Sequence, residues 1–150
     1  MATPITRSDM FEPLLAADPS FRSHWDAFLA EWSDEEETKE DGLPLYMAQS
    51  SLEEHLIQRL GAGDTAGFDV VFDVVERWHV EGDEYVSEAA SIGLLESLQN
   101  QLGGNDRRYK TRKGVRASDF ERWLRPETRR WWDKLYRFWD GDDRALRFDS

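Results

Sequence analysis

Apolar residues recur along the chain at spacings of three and four, with polar residues between them. That is the period of an amphipathic helix, and it predicts helices almost throughout. Thr6 with Asp9 reads as the start of a first helix carrying Met10, Phe11, Leu14 and Leu15, kept short by Pro13. Ser20 opens a second segment, in which Phe21, Trp25, Phe28, Leu29 and Trp32 share one face. Leu43 to Leu60 is a third, and a capping-box pattern at Ser50 or Ser51 with Glu54 marks a fresh start inside it. Gly61 and Gly63 end it, and Asp64 caps the next helix. There Phe68, Val71, Phe72, Val75 and Trp78 fall at i, i+3, i+4, i+7 and i+10, the cleanest helical pattern present. The four valines between 70 and 75 also suit a strand, but the period that runs on to Trp78 favours the helix.

Gly82 stops that helix and Asp83 caps another, whose members Tyr85, Val86, Ala89, Ile92, Leu94, Leu95, Leu98 and Leu102 cover more than one face. Such a wide apolar arc belongs at the centre of a fold. Gly93 in its middle costs roughly 1 kcal/mol against Ala, a choice that a closely packed neighbour would explain. Ser118 caps a short helix with Phe120, Trp123 and Leu124, and Pro126 with Glu127 opens the last one, with Trp131, Trp132, Leu135, Phe138 and Trp139 on its apolar face. Short turns between the helices predict an all-α fold: a single compact domain of about six or seven helices, stacked as antiparallel pairs.

The chain has 150 residues, enough for one domain over 1–150 with a core of its own. Nineteen aromatics, seven of them Trp, supply much of that core. There is no cysteine, so disulfides and thiolate metal sites are excluded and a cytoplasmic location is expected. The first ten residues have no secretory signal pattern, and no stretch approaches the ~20 apolar residues of a membrane span.

Charge changes the picture. Residues 1–104 carry 22 acidic and 5 basic side chains, a net of −17, whereas residues 105–150 carry 9 acidic and 14 basic, a net of +5. The acids include a run at 34–41 (DEEETKED) that reads as a solvated loop. The bases include Arg107, Arg108, Lys110, Arg112, Lys113 and Arg116, which with Tyr109 form a basic loop over 105–116, and a loose tail is expected at 142–150. Six cations and a stacking ring are the elements of a nucleic-acid contact, yet −17 on the same small particle repels phosphate, so nucleic acid is not the expected partner. An anionic membrane is disfavoured by the same −12 overall. An acidic surface suits a basic protein, whose encounter it accelerates.

Catalytic patterns are wanting. His24, His55 and His79 have no metal-ligand spacing, and no Gly-x-Ser-x-Gly elbow exists. The run from Gly61 to Gly67 lacks the Lys-Ser/Thr of a phosphate loop. Asp69, Asp73 and Glu76 lie at i, i+4 and i+7 and read as a solvated face. No catalytic, cofactor-binding or metal-binding residue is therefore named, and no cofactor is expected.

The stretch from Val75 to Asn100, with Gly82-Asp83, Val86 and Glu88 followed by Leu94-Leu-Glu96, Leu98 and Asn100, resembles a family of small, acidic, all-helical, uncharacterised bacterial proteins. Trp123 to Trp139 is similar to that family's closing helix, and Phe11-x-Pro13 with Phe21 and Trp25 to its beginning. The basic insertion from Asn105 to Val115 differs from the short linker usual there. Members of such families are taken for immunity proteins of polymorphic toxin systems. The resemblance implies a non-enzymatic protein-binding domain that neutralises a basic toxin. The alternative is a helical adaptor or regulatory domain that docks an acidic partner or nucleic acid through Arg107, Arg108, Tyr109, Lys110, Arg112, Lys113 and Arg116.

Overall fold

The structure is a computed structural model, and it describes residues 3–32, 45–104, 106 and 108–142. The acidic run 34–41, Arg107, and 143–150 of the tail lie outside the described residues, as does the expected helix start at Leu43. Seven α-helices stand among the described residues, with no strand, so the all-α expectation holds. They are α1 (Phe11–Ala17), α2 (Arg22–Trp32), α3 (Leu45–Gly61), α4 (Phe68–Glu81), α5 (Glu84–Glu88), α6 (Glu96–Gln101) and α7 (Pro126–Trp139). A π-helical stretch, Ala89–Leu95, joins α5 to α6, and 3-10 turns cover Pro19–Phe21 and Ala117–Trp123.

The strand alternative for 70–75 is not adopted. Phe68, Val71, Phe72, Val75 and Trp78 are all buried on one side of α4, as their spacing requires. This helix contacts α1, α5, the π-helical stretch, the second 3-10 turn and α7. It therefore shares the centre of the fold with the expected wide-arc helix, whose Ala89, Ala90, Leu94, Leu95 and Leu98 are buried. Phe11 stacks on Trp25 at 4.7 Å between ring centroids and on Phe21 at 6.3 Å, joining α1 to α2. Phe68 meets Trp123 edge-on at 4.9 Å, and Phe72 lies 6.2 Å from Phe120, which fixes the 3-10 turn onto α4. Trp78 donates its indole N–H to the Met10 carbonyl at 2.9 Å, so the one polar atom of a wholly buried ring is satisfied.

Several expected caps are made by other residues. The Thr6 hydroxyl donates to the Asp9 carboxylate at 2.7 Å, but α1 begins only at Phe11. Asp18, not Ser20, caps the 3-10 turn that leads into α2, accepting the Ser20 N–H at 3.2 Å. α3 is unbroken through Ser50 and Ser51; the Ser50 hydroxyl reaches back to the Tyr46 carbonyl, as serine does inside a helix. Gly67, at φ +79°, precedes α4, while Asp64 is drawn away to Arg59. The second 3-10 turn is closed by Asp119, whose carboxylate accepts the Arg116 N–H at 2.9 Å, and Ser118 makes no cap. Asp83 caps α5 as expected, accepting the Val86 N–H at 2.9 Å, and Pro126 is the first residue of α7.

The joint between α4 and α5 carries a feature without a periodic signal. Ile5 runs beside it, donating its N–H to the Glu81 carbonyl and accepting the Asp83 N–H, both at 2.9 Å. A Cβ on Gly82 would strike the Trp78 carbonyl and, at 2.6 Å, the Val86 side chain, so only glycine permits this tight turn. Gly93 answers a similar need: its bare Cα faces Gln49 and Tyr46 of α3, where α3 packs on the π-helical stretch.

Candidate functional site

A cleft of about 610 Å³ opens beside the Gly82–Asp83 joint, between the end of α4, the start of α5 and the first turns of α7. It is lined by His79, Gly82, Asp83, Glu84, Ser87, Glu88, Ser91, Ile92, Glu127 and Trp131. Four of these are carboxylates, set around the apolar surfaces of Ile92 and Trp131. Asp83 is engaged as the α5 cap, and Glu127 receives Arg130 at 2.7 Å. Glu84 and Glu88 are exposed, one helical turn apart, and neither has an ion-pair partner among the described residues. Glu84 lies where a helix N-terminus favours an acid; Glu88 has no such helical role.

The back of the cleft is held by Glu76. Its carboxylate accepts the backbone N–H of Glu127 at 3.0 Å and that of Thr128 at 2.8 Å, together with the Thr128 hydroxyl at 2.8 Å. It thus caps α7, whose own N-cap residue Arg125 offers no acceptor. Burial pushes the Glu76 carboxyl up, but these donors and His79 outweigh it and leave the group below its ordinary value. Asp73 meets Arg125 at 2.8 Å. Of the acids expected on a solvated face, Asp69 and Asp73 are exposed, Asp73 pairing there with Arg125, while Glu76 is half-buried and ties the start of α7 to α4. His79 completes this corner. Burial holds its imidazole below the ordinary value, against the opposing pull of the Val75 carbonyl, Glu76 and Glu127.

The basic loop stands elsewhere. Thr111 to Val115 form a tight turn, closed by Thr111 N–H to the Val115 carbonyl and Gly114 N–H to the Thr111 carbonyl, both at 2.9 Å, and Val115 N–H to the Thr111 hydroxyl at 3.1 Å. Val115 is buried and anchors the turn. Arg108, Tyr109, Lys110, Arg112, Lys113 and Arg116 are all exposed; Arg107 lies outside the described residues. Tyr109 packs against Gly103 and lines a cleft of about 250 Å³ shared with α7. Among the described residues the loop makes one ion pair, Arg108 with Asp106 at 3.6 Å, and none with the acidic helices. The structure displays these cations without drawing them into one pocket.

Two buried polar clusters remain. Asp18 accepts the Ser20 hydroxyl and Arg59 Nη1 at 3.1 Å and lies 3.2 Å from His55 Nε2, and Arg59 continues to Asp64 and the Ala66 carbonyl. Ser20 also lies 2.9 Å from His55 Nε2. Serine, histidine and aspartate together suggest a catalytic relay, but the hydroxyl hydrogen is given to Asp18, so the imidazole donates to serine instead of taking its proton. The group clamps the α1–α2 junction onto α3. Burial holds His55 below its ordinary value, in spite of Asp18. In the second cluster, Glu53 of α3 is wholly buried, accepts from Gln101, and has its titration pushed up to about 7 by burial. Its Oε2 and both amide atoms of Gln49 have no hydrogen-bond partner among the described residues. Among the described residues no group of three or more His, Asp or Glu side chains could hold a metal ion, and no helix is long and apolar enough to cross a membrane.

The cleft was not predicted, because Glu127 and Trp131 lie some forty residues beyond Asp83 and nothing local links them. The signal nearest to it was the Gly82-Asp83, Val86, Glu88 pattern, three of whose residues line the cleft while Val86 is buried beside it. A family model matches residues 11–140, which include the cleft and the basic loop. The chain belongs to the family described as Domain of unknown function (DUF7674). No curated protein and no solved structure matches it.

Proposed function

We propose that this member of the family is a non-enzymatic protein-binding domain that receives a basic partner on its acidic face, as an immunity protein receives a basic toxin. The observation that carries the proposal is the cleft at the α4–α5 joint, where Glu84 and Glu88 stand exposed, without an ion-pair partner among the described residues, beside apolar Ile92 and Trp131. Unspent carboxylates around an apolar floor steer a cationic surface inward and leave it something to bury against. The −17 carried by residues 1–104 extends that potential. The test is a pull-down from native lysate with the tagged domain and its Glu84→Lys/Glu88→Lys variant, with nuclease-treated controls. The expected result is a basic protein that the domain retains at low salt, nuclease leaves in place, ~0.5 M salt releases, and the variant fails to retain. Equal capture by the variant overturns the assignment to this face.

The basic loop supports a second reading, docking of an acidic partner or nucleic acid, because its described cations are exposed and, apart from Arg108 with Asp106, make no ion pair with the protein's own acids among the described residues. Arg112→Glu/Lys113→Glu at the tip of the turn separates the two. It abolishes capture under the second reading and spares it under the first.

A further inference from the structure

His79 has a fixed tautomer, and the structure leaves one of its nitrogens without a use. The Thr128 hydroxyl has a single hydrogen, which it gives to Glu76. It cannot also donate to His79 Nδ1, 3.2 Å away, and the Val75 carbonyl, 3.0 Å from the same nitrogen, is only an acceptor. Nδ1 therefore carries the ring hydrogen, and Nε2 is a bare acceptor. Burial disfavours the charged ring and holds its titration below the ordinary value. Nε2 is buried and has no hydrogen-bond partner, the one such side-chain atom in the lining of the cleft among the described residues. A buried acceptor left unmatched is costly, and native structures seldom keep one without a reason.

The surroundings define what would match it. His79 is one of the residues lining a cleft of about 610 Å³, within the roughly 300–1,000 Å³ typical of ligand sites. The charged groups around it are Asp83, Glu84, Glu88 and Glu127 in the lining, Glu76 behind Thr128, and two cations of α7. Arg130 is committed to Glu127, and Lys134 Nζ lies 4.4 Å from the Trp131 ring centroid. Acids remain in excess. Among donors that could enter, a cationic one is therefore favoured.

Resting on the proposal that the acidic face receives a basic protein, we infer that this cleft takes one arginine or lysine side chain of that partner, Glu84 and Glu88 balancing its charge and its N–H reaching the covered His79 Nε2 as the rim of the cleft adjusts around it. The aliphatic stem lies against Ile92 and Trp131, as long cationic side chains bury their stems while their heads stay polar.

N-acetyl-arginine amide and N-acetyl-lysine amide test this against N-acetyl-citrulline amide, which keeps the arginine shape without the charge. The readouts are the 15N shift of His79 Nε2 and tryptophan fluorescence of the full chain. Saturable movement of Nε2 with a cationic amide, none with citrulline, and weakening by about fivefold or more in Glu84→Gln/Glu88→Gln would support the site. Both glutamates are exposed, so that variant tests the cleft without disturbing the core. His79→Gln adds a check: it should lower affinity without changing the salt dependence. A stationary Nε2 resonance, an equal response to citrulline, or indifference to the double variant overturns the inference. So does tighter binding of spermidine than of an arginine peptide of equal charge, which would mark a site for small polycations. If the domain still captures a salt-sensitive basic protein while Nε2 does not move, the inference fails and the proposed function stands.

Discussion

Glu76 and Thr128 are joined by two hydrogen bonds of 2.8 Å, one from the threonine backbone and one from its hydroxyl, although 52 residues separate them. A carboxylate of α4 thus supplies the cap that α7 lacks locally, and the same contact decides which nitrogen of His79 faces unpaired. Glu76→Ala should destabilise the domain by about 1–3 kcal/mol, since a cap and a buried hydroxyl are both left unmatched. Urea unfolding checks this as a lowered midpoint with an unchanged slope. The 15N spectrum of His79 should change in the same variant, because the Thr128 hydroxyl is freed to donate to Nδ1.

Glu53 gives a pH dependence of defined sign. It titrates near 7 in the folded protein against about 4.5 ordinarily. The folded state therefore binds the extra proton between these values. The stability this provides is complete below about 4.5 and is lost as pH rises towards 7. Glu53→Gln removes the ionisable group and keeps its shape. It should raise stability at pH 8 by on the order of 1–3 kcal/mol and have little effect at pH 4. Melting temperatures of the two proteins across that range decide the matter; a constant difference would count against a buried, proton-linked Glu53.

His55 and His79 act in the opposite direction. Both are held below their ordinary value of 6.5 by burial, so the unfolded chain binds their protons first. Their contribution is present above about 6.5 and is lost as pH falls below it. In the Glu53→Gln background, where Glu96 is the remaining carboxyl that burial raises among the described residues, melting temperature should fall on acidification from pH 7 to pH 6.

Gly93 is a steric requirement. A methyl group there would meet the Gln49 amide and sit 2.9 Å from the Tyr46 ring. Gly93→Ala should cost about 1–3 kcal/mol despite the better helix propensity of alanine. Gln49→Ala removes the main obstruction, so the double variant should recover part of the loss, and a thermodynamic cycle measures the coupling.

Arg59 holds two carboxylates of unequal worth. Asp18 is buried and Asp64 exposed. Asp18→Ala should destabilise by about 2–4 kcal/mol, because Arg59 and His55 lose a buried counter-charge. Asp64→Ala should change the unfolding midpoint little, because water replaces its contact.

The helices, their buried faces and the Gly82–Asp83 joint were legible in the sequence, because backbone hydrogen bonding is local and the 3.6-residue period marks which side must leave water. Trp78, Val75, Phe72 and Phe68 needed no partner to declare their face. Asp83 and Pro126 declared two helix starts, since those positions depend on backbone conformation within a few residues. Other caps went elsewhere. Ser20, Asp64 and Ser118 had the right chemistry, but a competing group lay closer in space: Asp18, Arg59 and Asp119 in turn. The π-helical stretch had no periodic signal, and it sits where α3 presses on Gly93. Membership in the family rested on extended similarity over 11–140. The cleft is a product of tertiary structure alone. It exists because Glu76 draws the start of α7 onto α4, bringing Glu127 and Trp131 to face Glu84 and Glu88. Charge in a sequence has no direction until packing decides which carboxylates are spent on neighbours and which remain turned to water.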